Sequence, residues 1–224
     1  METYKQQFIE FMVASDALTF GEFVTKSGRQ TPYFINSGNF ADGPRISQLG
    51  EWYARAINDR IGSGCDNLYG PAYKGIPLAV TTAAALWNLF QHRVTYTFNR
   101  KEEKAHGEKG ALVGHRYVGG EKVLIIEDVV TAGTSVRESL TLLKAIADVE
   151  IVGVIVSVDR QERGQGERSA LDELQDELGI QTCAIVTLDE IIEFLDGREI
   201  AGRVLIDDEM RGKIAAYRDQ YGAQ

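Results

Sequence analysis

Two adjacent carboxylates, Glu127 and Asp128, follow an unbroken apolar run, Val123-Leu124-Ile125-Ile126. After them come Val129, Val130 and a turn of small residues, Thr131-Ala132-Gly133-Thr134-Ser135. An apolar run of this kind suits a strand covered on both faces of a parallel sheet. From Val136 the spacing becomes helical, with Leu140, Leu143 and Ala147 recurring at three- and four-residue intervals. The turn therefore falls where main-chain N–H groups and the positive end of a helix dipole can hold a phosphate. Gly133 lets the chain approach a ligand closely, and the three hydroxyls add donors. Carboxylates repel a phosphate but accept well from a pair of sugar hydroxyls. Acids for a diol beside a cradle for a phosphate suit a ribose 5-phosphate. The turn has neither the Gly-Lys-Ser/Thr ending of a Walker A loop nor Gly-x-Gly-x-x-Gly spacing. The plain alternative is an ordinary strand–turn–helix junction with a solvated acidic pair. That alternative would fit better if only the acids or only the glycine were there.

The flanking sequence supplies a scaffold for such a junction. Residues 4–14 read as an amphipathic helix, 18–24 and 33–36 as short strands, and 46–61 as a helix. Strands are then expected at 67–69, 94–98, 123–127, 151–158 and 182–186, and helices at 76–90, 134–147 and 169–178. Two further helices are expected at 188–195 and 209–217. Repeated β–α units with apolar strands imply an α/β fold with a mostly parallel central sheet flanked by helices. The economical organisation is one domain over 1–224, with a small N-terminal hood over about 1–40. One long irregular stretch, about 99–119, is punctuated by Gly107, Gly110, Gly114 and Gly119. Arg100, Lys101, Lys104 and Lys109 there nearly balance Glu102, Glu103 and Glu108, so it reads as either a solvated hairpin or a lid.

Composition narrows the function classes. A formal net charge of −9 argues against a protein that wraps nucleic acid or lies on anionic lipid. A small anionic substrate remains compatible if positive charge is gathered locally. Cys65 and Cys183 stand far apart without metal-ligand spacing, so neither a disulfide framework nor a zinc site is expected. The weakly polar stretch 75–90 is too short for a membrane span and carries Pro77, Thr81, Thr82 and Asn88. The N-terminus shows no basic segment followed by an apolar core, and a cytoplasmic location is expected.

The segment 123–135 resembles the signature of the type I phosphoribosyltransferases, which use 5-phosphoribosyl-1-pyrophosphate (PRPP). Four other segments, in order around it, resemble the orotate phosphoribosyltransferases within that group. They are 17–36, ending Thr31-Pro32-Tyr33-Phe34-Ile35-Asn36; the loop Tyr69-Gly70-Pro71-Ala72-Tyr73-Lys74-Gly75-Ile76-Pro77; the stretch 99–108; and Asp159-Arg160-Gln161-Glu162-Arg163-Gly164. The resemblance implies a type I phosphoribosyltransferase fold in which 99–119 is a flexible catalytic lid. It also implies transfer of the phosphoribosyl group to orotate, giving orotidine 5′-monophosphate and pyrophosphate, in de novo pyrimidine biosynthesis.

By the same resemblance, PRPP is held by Lys26, Tyr73, Lys74, Arg100, Lys101, Lys104 and His106, with Glu127, Asp128, Val129, Val130, Thr131, Ala132, Gly133, Thr134 and Ser135. Orotate falls to Lys26, Phe34, Ile35, Thr131 and Arg160, with Arg160 pairing its carboxylate. Ile35 stands where the family often has a second aromatic residue, and Glu127 where some relatives have Asp. Catalysis is assigned to Lys74, Lys104, His106 and Asp128, with positive groups meeting charge that gathers on the departing pyrophosphate. Magnesium (Mg2+) is expected as cofactor, held mainly through PRPP rather than by a protein metal site. A homodimer with shared active sites is implied, in which Arg100, Lys101, Lys104 and His106 serve the opposite protomer. A separate orotidine 5′-monophosphate decarboxylase is a candidate associate. The acidic pair alone leaves other readings open: a phosphoribosyltransferase for a purine or uracil, or a regulator that binds PRPP without catalysis. His92 and His115 read as structural.

Overall fold

The computed structural model describes residues 1–25, 28–101, 110–164 and 166–223. The chain opens with helix α1 (Thr3–Ala14), the antiparallel pair β1 (Leu18–Val24) and β2 (Gln30–Ile35), and a single 3-10 turn, Ser37–Asn39. Alternating elements follow: α2 (Gly43–Arg60), β3 (Asn67–Tyr69), α3 (Gly75–Phe90), β4 (Thr95–Asn99), β5 (Leu112–Gly114), β6 (Lys122–Ile126), α4 (Thr134–Ile146), β7 (Glu150–Asp159), α5 (Ala170–Leu178) and β8 (Gln181–Thr187). The C-terminal part holds α6 (Leu188–Leu195), a minimal hairpin of β9 (Glu199–Ile200) and β10 (Arg203–Val204), and α7 (Asp208–Tyr221).

The central sheet runs β5-β4-β3-β6-β7-β8, with parallel pairing from β4 to β8 and β5 antiparallel at the edge. Its register explains the apolar run 123–126. Leu124 and Ile126 enter a cluster with Leu49, Tyr53, Leu68 and Leu86, whereas Val123 and Ile125 enter a second one with Val136, Leu143 and Leu174. Helices α2 and α3 thus cover one face, and α4 and α5 the other, so alternate side chains of β6 are fully buried in opposite directions. Each such branched side chain contributes on the order of 1.5–3 kcal/mol by leaving water. The expected α/β fold with a mostly parallel sheet is the one observed.

Two details depart from the sequence reading. The stretch 99–119 is not irregular throughout, because β5 pairs with β4 through Thr97–Gly114, Phe98–Val113 and Asn99–Leu112. Beyond the paired residues, Arg100 N donates to Ala111 O at 2.8 Å, which extends this hairpin stem. The second strand of the N-terminal pair starts at Gln30 rather than 33, since its pairing with β1 extends to Val24.

Candidate active site

The chain leaves β3 towards β4 on one side of the sheet and, after β6, builds β7 and β8 on the other. The crevice beyond the carboxyl ends of β3 and β6 is therefore a topological switch point, where α/β sheets bind ligands. Every motif singled out in the central sheet leaves from this edge. Residues 70–74 follow β3, Arg100 follows β4, Glu127 and Asp128 follow β6, and Arg160 follows β7. The parallel register thus gathers segments that lie far apart in sequence.

The acidic pair is anchored through its backbone. Tyr53 Oη donates to Glu127 O at 2.6 Å, and Ser157 donates to Asp128 O through both N (2.9 Å) and Oγ (2.6 Å). Glu127 and Asp128 are only 7% and 8% exposed, yet the Asp128 carboxylate faces donors. Ser37 Oγ donates to Asp128 Oδ2 at 2.6 Å and Lys74 Nζ at 2.7 Å, with Lys74 Nζ also 3.1 Å from Ser37 Oγ. Burial holds the Glu127 carboxyl above its ordinary pKa, with the neighbouring Asp128 charge adding to the effect.

Residues 127–133 connect the end of β6 directly to α4. Gly133 adopts φ +70°, and a Cβ there would lie 2.8 Å from Arg137 Nη1 and 3.1 Å from Leu174. Helix α4 begins at Gly133, which has no side chain to cap it, and α1 and α3 likewise start without a side-chain cap. Thr131, Ala132, Thr134 and Ser135 are exposed. Val129 packs against one face's cluster and Val130 against the other's, so these two side chains anchor the turn on both sides of the sheet. Arg137 ties the turn down, donating from Nη1 to Ala132 O at 2.7 Å and from Nε to Glu177 at 3.0 Å.

Opposite lies the loop after β3, closed by two glycines. A Cβ on Gly70 would fall 2.0 Å from Gly75 O, so the backbone itself fills that space. Ala72 N donates to Asn99 Oδ1 at 2.7 Å, which fixes the loop to the end of β4. Tyr73 is 70% exposed, free to meet a ligand. Between this loop and the phosphate-type turn is a cavity of about 70 Å³, bordered by Ala72, Asn99, Lys101 and Ser135.

On the hood side, Phe34 is exposed and stacks on Phe23 with ring centroids 5.6 Å apart, while Ile35 is half-buried. Arg160 is engaged with Glu162, its Nε at 3.0 Å and its Nη2 at 2.5 Å from Glu162 Oε1. The pair is not a surface one, since the two side chains are 17% and 16% exposed. Burial opposes the Arg160 charge, but Tyr33 and Glu162 beside it hold its pKa above the ordinary value. His92 Nε2 lies 3.2 Å from Cys65 O, and His115 Nε2 lies 3.3 Å from Glu121 Oε1, both structural contacts. Lys26, Lys104 and His106 lie outside the described residues. Among the described residues no group of three or more His, Cys, Asp or Glu is assembled that could hold a metal ion.

Sequence reasoning did not single out Ser37 or Tyr217 as parts of this edge, and it included Asn99 and Glu162 only as members of the segments 99–108 and 159–164. Ser37 had a usable signal, because it directly follows the quoted segment ending at Asn36. Tyr217 becomes visible only through a tertiary partner.

Comparison with known proteins finds relatives along the whole chain. The phosphoribosyl transferase domain profile matches residues 36–184. The orotate phosphoribosyltransferase of Clostridium acetobutylicum is 52% identical over 224 residues, covering 100% of both chains. That of Clostridium beijerinckii is 54% identical over 224 residues, again 100% of both. A crystal structure of the Francisella tularensis orotate phosphoribosyltransferase superposes with a TM-score of 0.84 at 37% identity, over 97% of this chain and 100% of that one. Full-length identity, a shared fold and a built site at the switch point lead to one conclusion: this chain belongs to the orotate phosphoribosyltransferase family.

Proposed function

We propose that this protein transfers the 5-phosphoribosyl group of PRPP to a ring nitrogen of orotate, releasing pyrophosphate and forming orotidine 5′-monophosphate, a step of pyrimidine biosynthesis. The observation that carries this reading is the convergence at one sheet edge of the acids Glu127 and Asp128, the small-residue turn that leads into α4 at Gly133 and the Lys74 ammonium. The 5-phosphate sits on the N–H groups and hydroxyls of 131–135, the ribose diol on Glu127 and Asp128, and the pyrophosphate beside Tyr73, Lys74, Arg100 and Lys101. Orotate lies between this sugar and the hood, against Phe34 and Ile35, with Thr131 and Arg160 reaching its polar edge. Lys26 from the hood, and Lys104 and His106 from the lid, complete the set.

As the bond from the anomeric carbon to pyrophosphate stretches, positive charge develops on the ribose and negative charge on the leaving group. Asp128 beneath the sugar favours the first, and Lys74 with the lid cations favours the second, which selects the transition state over the ground state. Lid closure excludes water that would compete with the base. Magnesium, held mainly through PRPP rather than by protein side chains, would supply further neutralisation of the pyrophosphate charge when bound.

The protein works as a homodimer whose lids serve the opposite site. The apolar side chains of Val80, Trp87 and Leu89 exposed on α3 are consistent with an interface. Among the described residues no helix is long and apolar enough to cross a membrane, which is compatible with work in the cytoplasm. A separate decarboxylase acting on the product fits as a partner. The test is to follow orotate's ultraviolet absorbance with PRPP, magnesium and purified protein, beside parallel reactions with uracil, adenine and hypoxanthine. Loss of orotate with stoichiometric pyrophosphate and no comparable use of the other bases supports the assignment. Turnover of another base instead of orotate would refute it.

A further inference from the structure

A single carboxylate oxygen next to the base edge collects donors from three separate parts of the chain. Glu162 Oε1 accepts from Tyr33 Oη at 2.7 Å, Tyr217 Oη at 2.9 Å, Arg160 Nε at 3.0 Å and Arg160 Nη2 at 2.5 Å. Tyr33 comes from β2 and is fully buried, while Tyr217 comes from α7 and is 6% exposed. The two rings meet edge-on, with centroids 5.7 Å apart and planes at 85°. The Arg160 guanidinium lies over the Tyr33 ring at 5.3 Å. The backbone around Glu162 is pinned as well. Arg163 N donates to Tyr221 O at 2.9 Å and Ala223 N to Gln161 O at 2.8 Å, so the loop and the C-terminal residues form a short antiparallel bridge.

We propose that Glu162, with Tyr33 and Tyr217, positions Arg160 so that the C-terminal helix sets selectivity for a pyrimidine bearing a carboxylate. This rests on the reading of Arg160 as the group that meets orotate. Both bonds to Glu162 leave from the Nε/Nη2 edge of the guanidinium, so the Nη1/Nη2 edge is the one directed at an incoming carboxylate. An arginine side chain has many rotamers, and holding it in one beforehand removes an ordering cost from substrate binding. Four donors on one oxygen exceed what fixing the loop alone would need. They lock the plane of the guanidinium through an aromatic face below it and an acid at its edge. Tyr217 thus becomes a positioning residue although it lies 55 residues from Glu162 in sequence.

The test is steady-state kinetics of the full chain with Glu162→Gln, Tyr217→Phe and Arg160→Ala, and with each of the first two combined with Arg160→Ala. Glu162→Gln should raise KM for orotate tenfold or more and Tyr217→Phe about threefold, with KM for PRPP within twofold of wild type. Neither should cost anything further in the Arg160→Ala background, since both act through that guanidinium. The ratio of kcat/KM for orotate over uracil should fall in the same order. A rise in KM for PRPP equal to that for orotate, or a full additional loss in the Arg160→Ala background, would overturn the positioning role. Tyr217→Phe conserves the ring and decides the matter if Glu162→Gln does not fold. A wild type that fails to consume orotate would overturn the functional reading and this one with it. An active wild type whose variants are indifferent to orotate overturns the positioning alone.

Discussion

Lys74 Nζ lies 2.7 Å from Asp128 Oδ2, joining the loop after β3 to the acid after β6 across the switch point. The pair is asymmetric: the lysine side chain is 66% exposed and the aspartate only 11%. In the proposed reaction the exposed partner turns to the pyrophosphate while the buried one stays under the sugar. Lys74→Ala should therefore lower kcat about 10²-fold, the scale for losing one donor aimed at developing charge. Its melting temperature should also fall modestly, because the mostly buried Asp128 carboxylate then loses one of its donors and keeps Ser37. Kinetics and thermal melts on the same preparation check this, and an unchanged kcat would remove Lys74 from the chemistry.

Ser37 holds the same carboxylate oxygen from the hood side, at 2.6 Å. A hydrogen bond to a charged group contributes about 1.5–3 kcal/mol, part of which water restores on an accessible edge. Ser37→Ala is expected to raise KM for PRPP about 3- to 10-fold with a smaller change in kcat. An unaltered KM would mean that Lys74 alone orients Asp128.

Glu127 is the site's main electrostatic liability. Burial raises its pKa in the folded state, so the folded chain holds this proton more tightly than the unfolded one. Its contribution to stability is fully present below the unfolded value, about 4.5, and is lost as the pH rises through the folded value. Glu127→Gln should accordingly melt higher than wild type at pH 7.5, with the gain gone at pH 4. Each kcal/mol relieved corresponds to about 2–4 °C for a chain of this size. The variant should lose activity through its weakened grip on the ribose diol. A melting gain that persists unchanged at pH 4 would assign the effect to packing instead.

Gly75 tests the tight loop. A Cβ there would sit 2.7 Å from Gly70 C, against backbone that has no side chain to move aside. Gly75→Ala should destabilise by about 1–3 kcal/mol and lower kcat, as the loop carrying Tyr73 and Lys74 is pushed open. A variant that melts and turns over like wild type would show that the loop has slack.

Lys104 lies outside the described residues and is assigned by resemblance to the lid. Lys104→Ala should lower the turnover rate strongly while the melting temperature stays that of wild type. An unchanged rate would exclude it from the mechanism.

Much of the fold was legible because its signals are local. The run Val123–Ile126 suits a strand covered on both faces of a parallel sheet, and the helical spacing that begins at Val136 announced α4. What stayed hidden depends on partners far away in sequence. Leu112-Val113-Gly114 is too short to announce a strand and becomes one only because β4 offers an edge. β9 and β10 are two residues each and carry no periodicity at all. In the site, the acids, the small-residue turn and Lys74 were readable as chemistry. Asn99 and Tyr217 act by supporting other groups, through contacts that span 27 and 55 residues of sequence. Single-position reading cannot find such supports, because nothing in their own type distinguishes them from surface polar residues.

The most direct measurement is a crystal structure of the protein with PRPP and magnesium. Density for the 5-phosphate should lie on the N–H groups of residues 131–135, with the ribose hydroxyls on Glu127 and Asp128 and the pyrophosphate beside Lys74. PRPP bound anywhere else, with that corner empty, would contradict the assignment of the site.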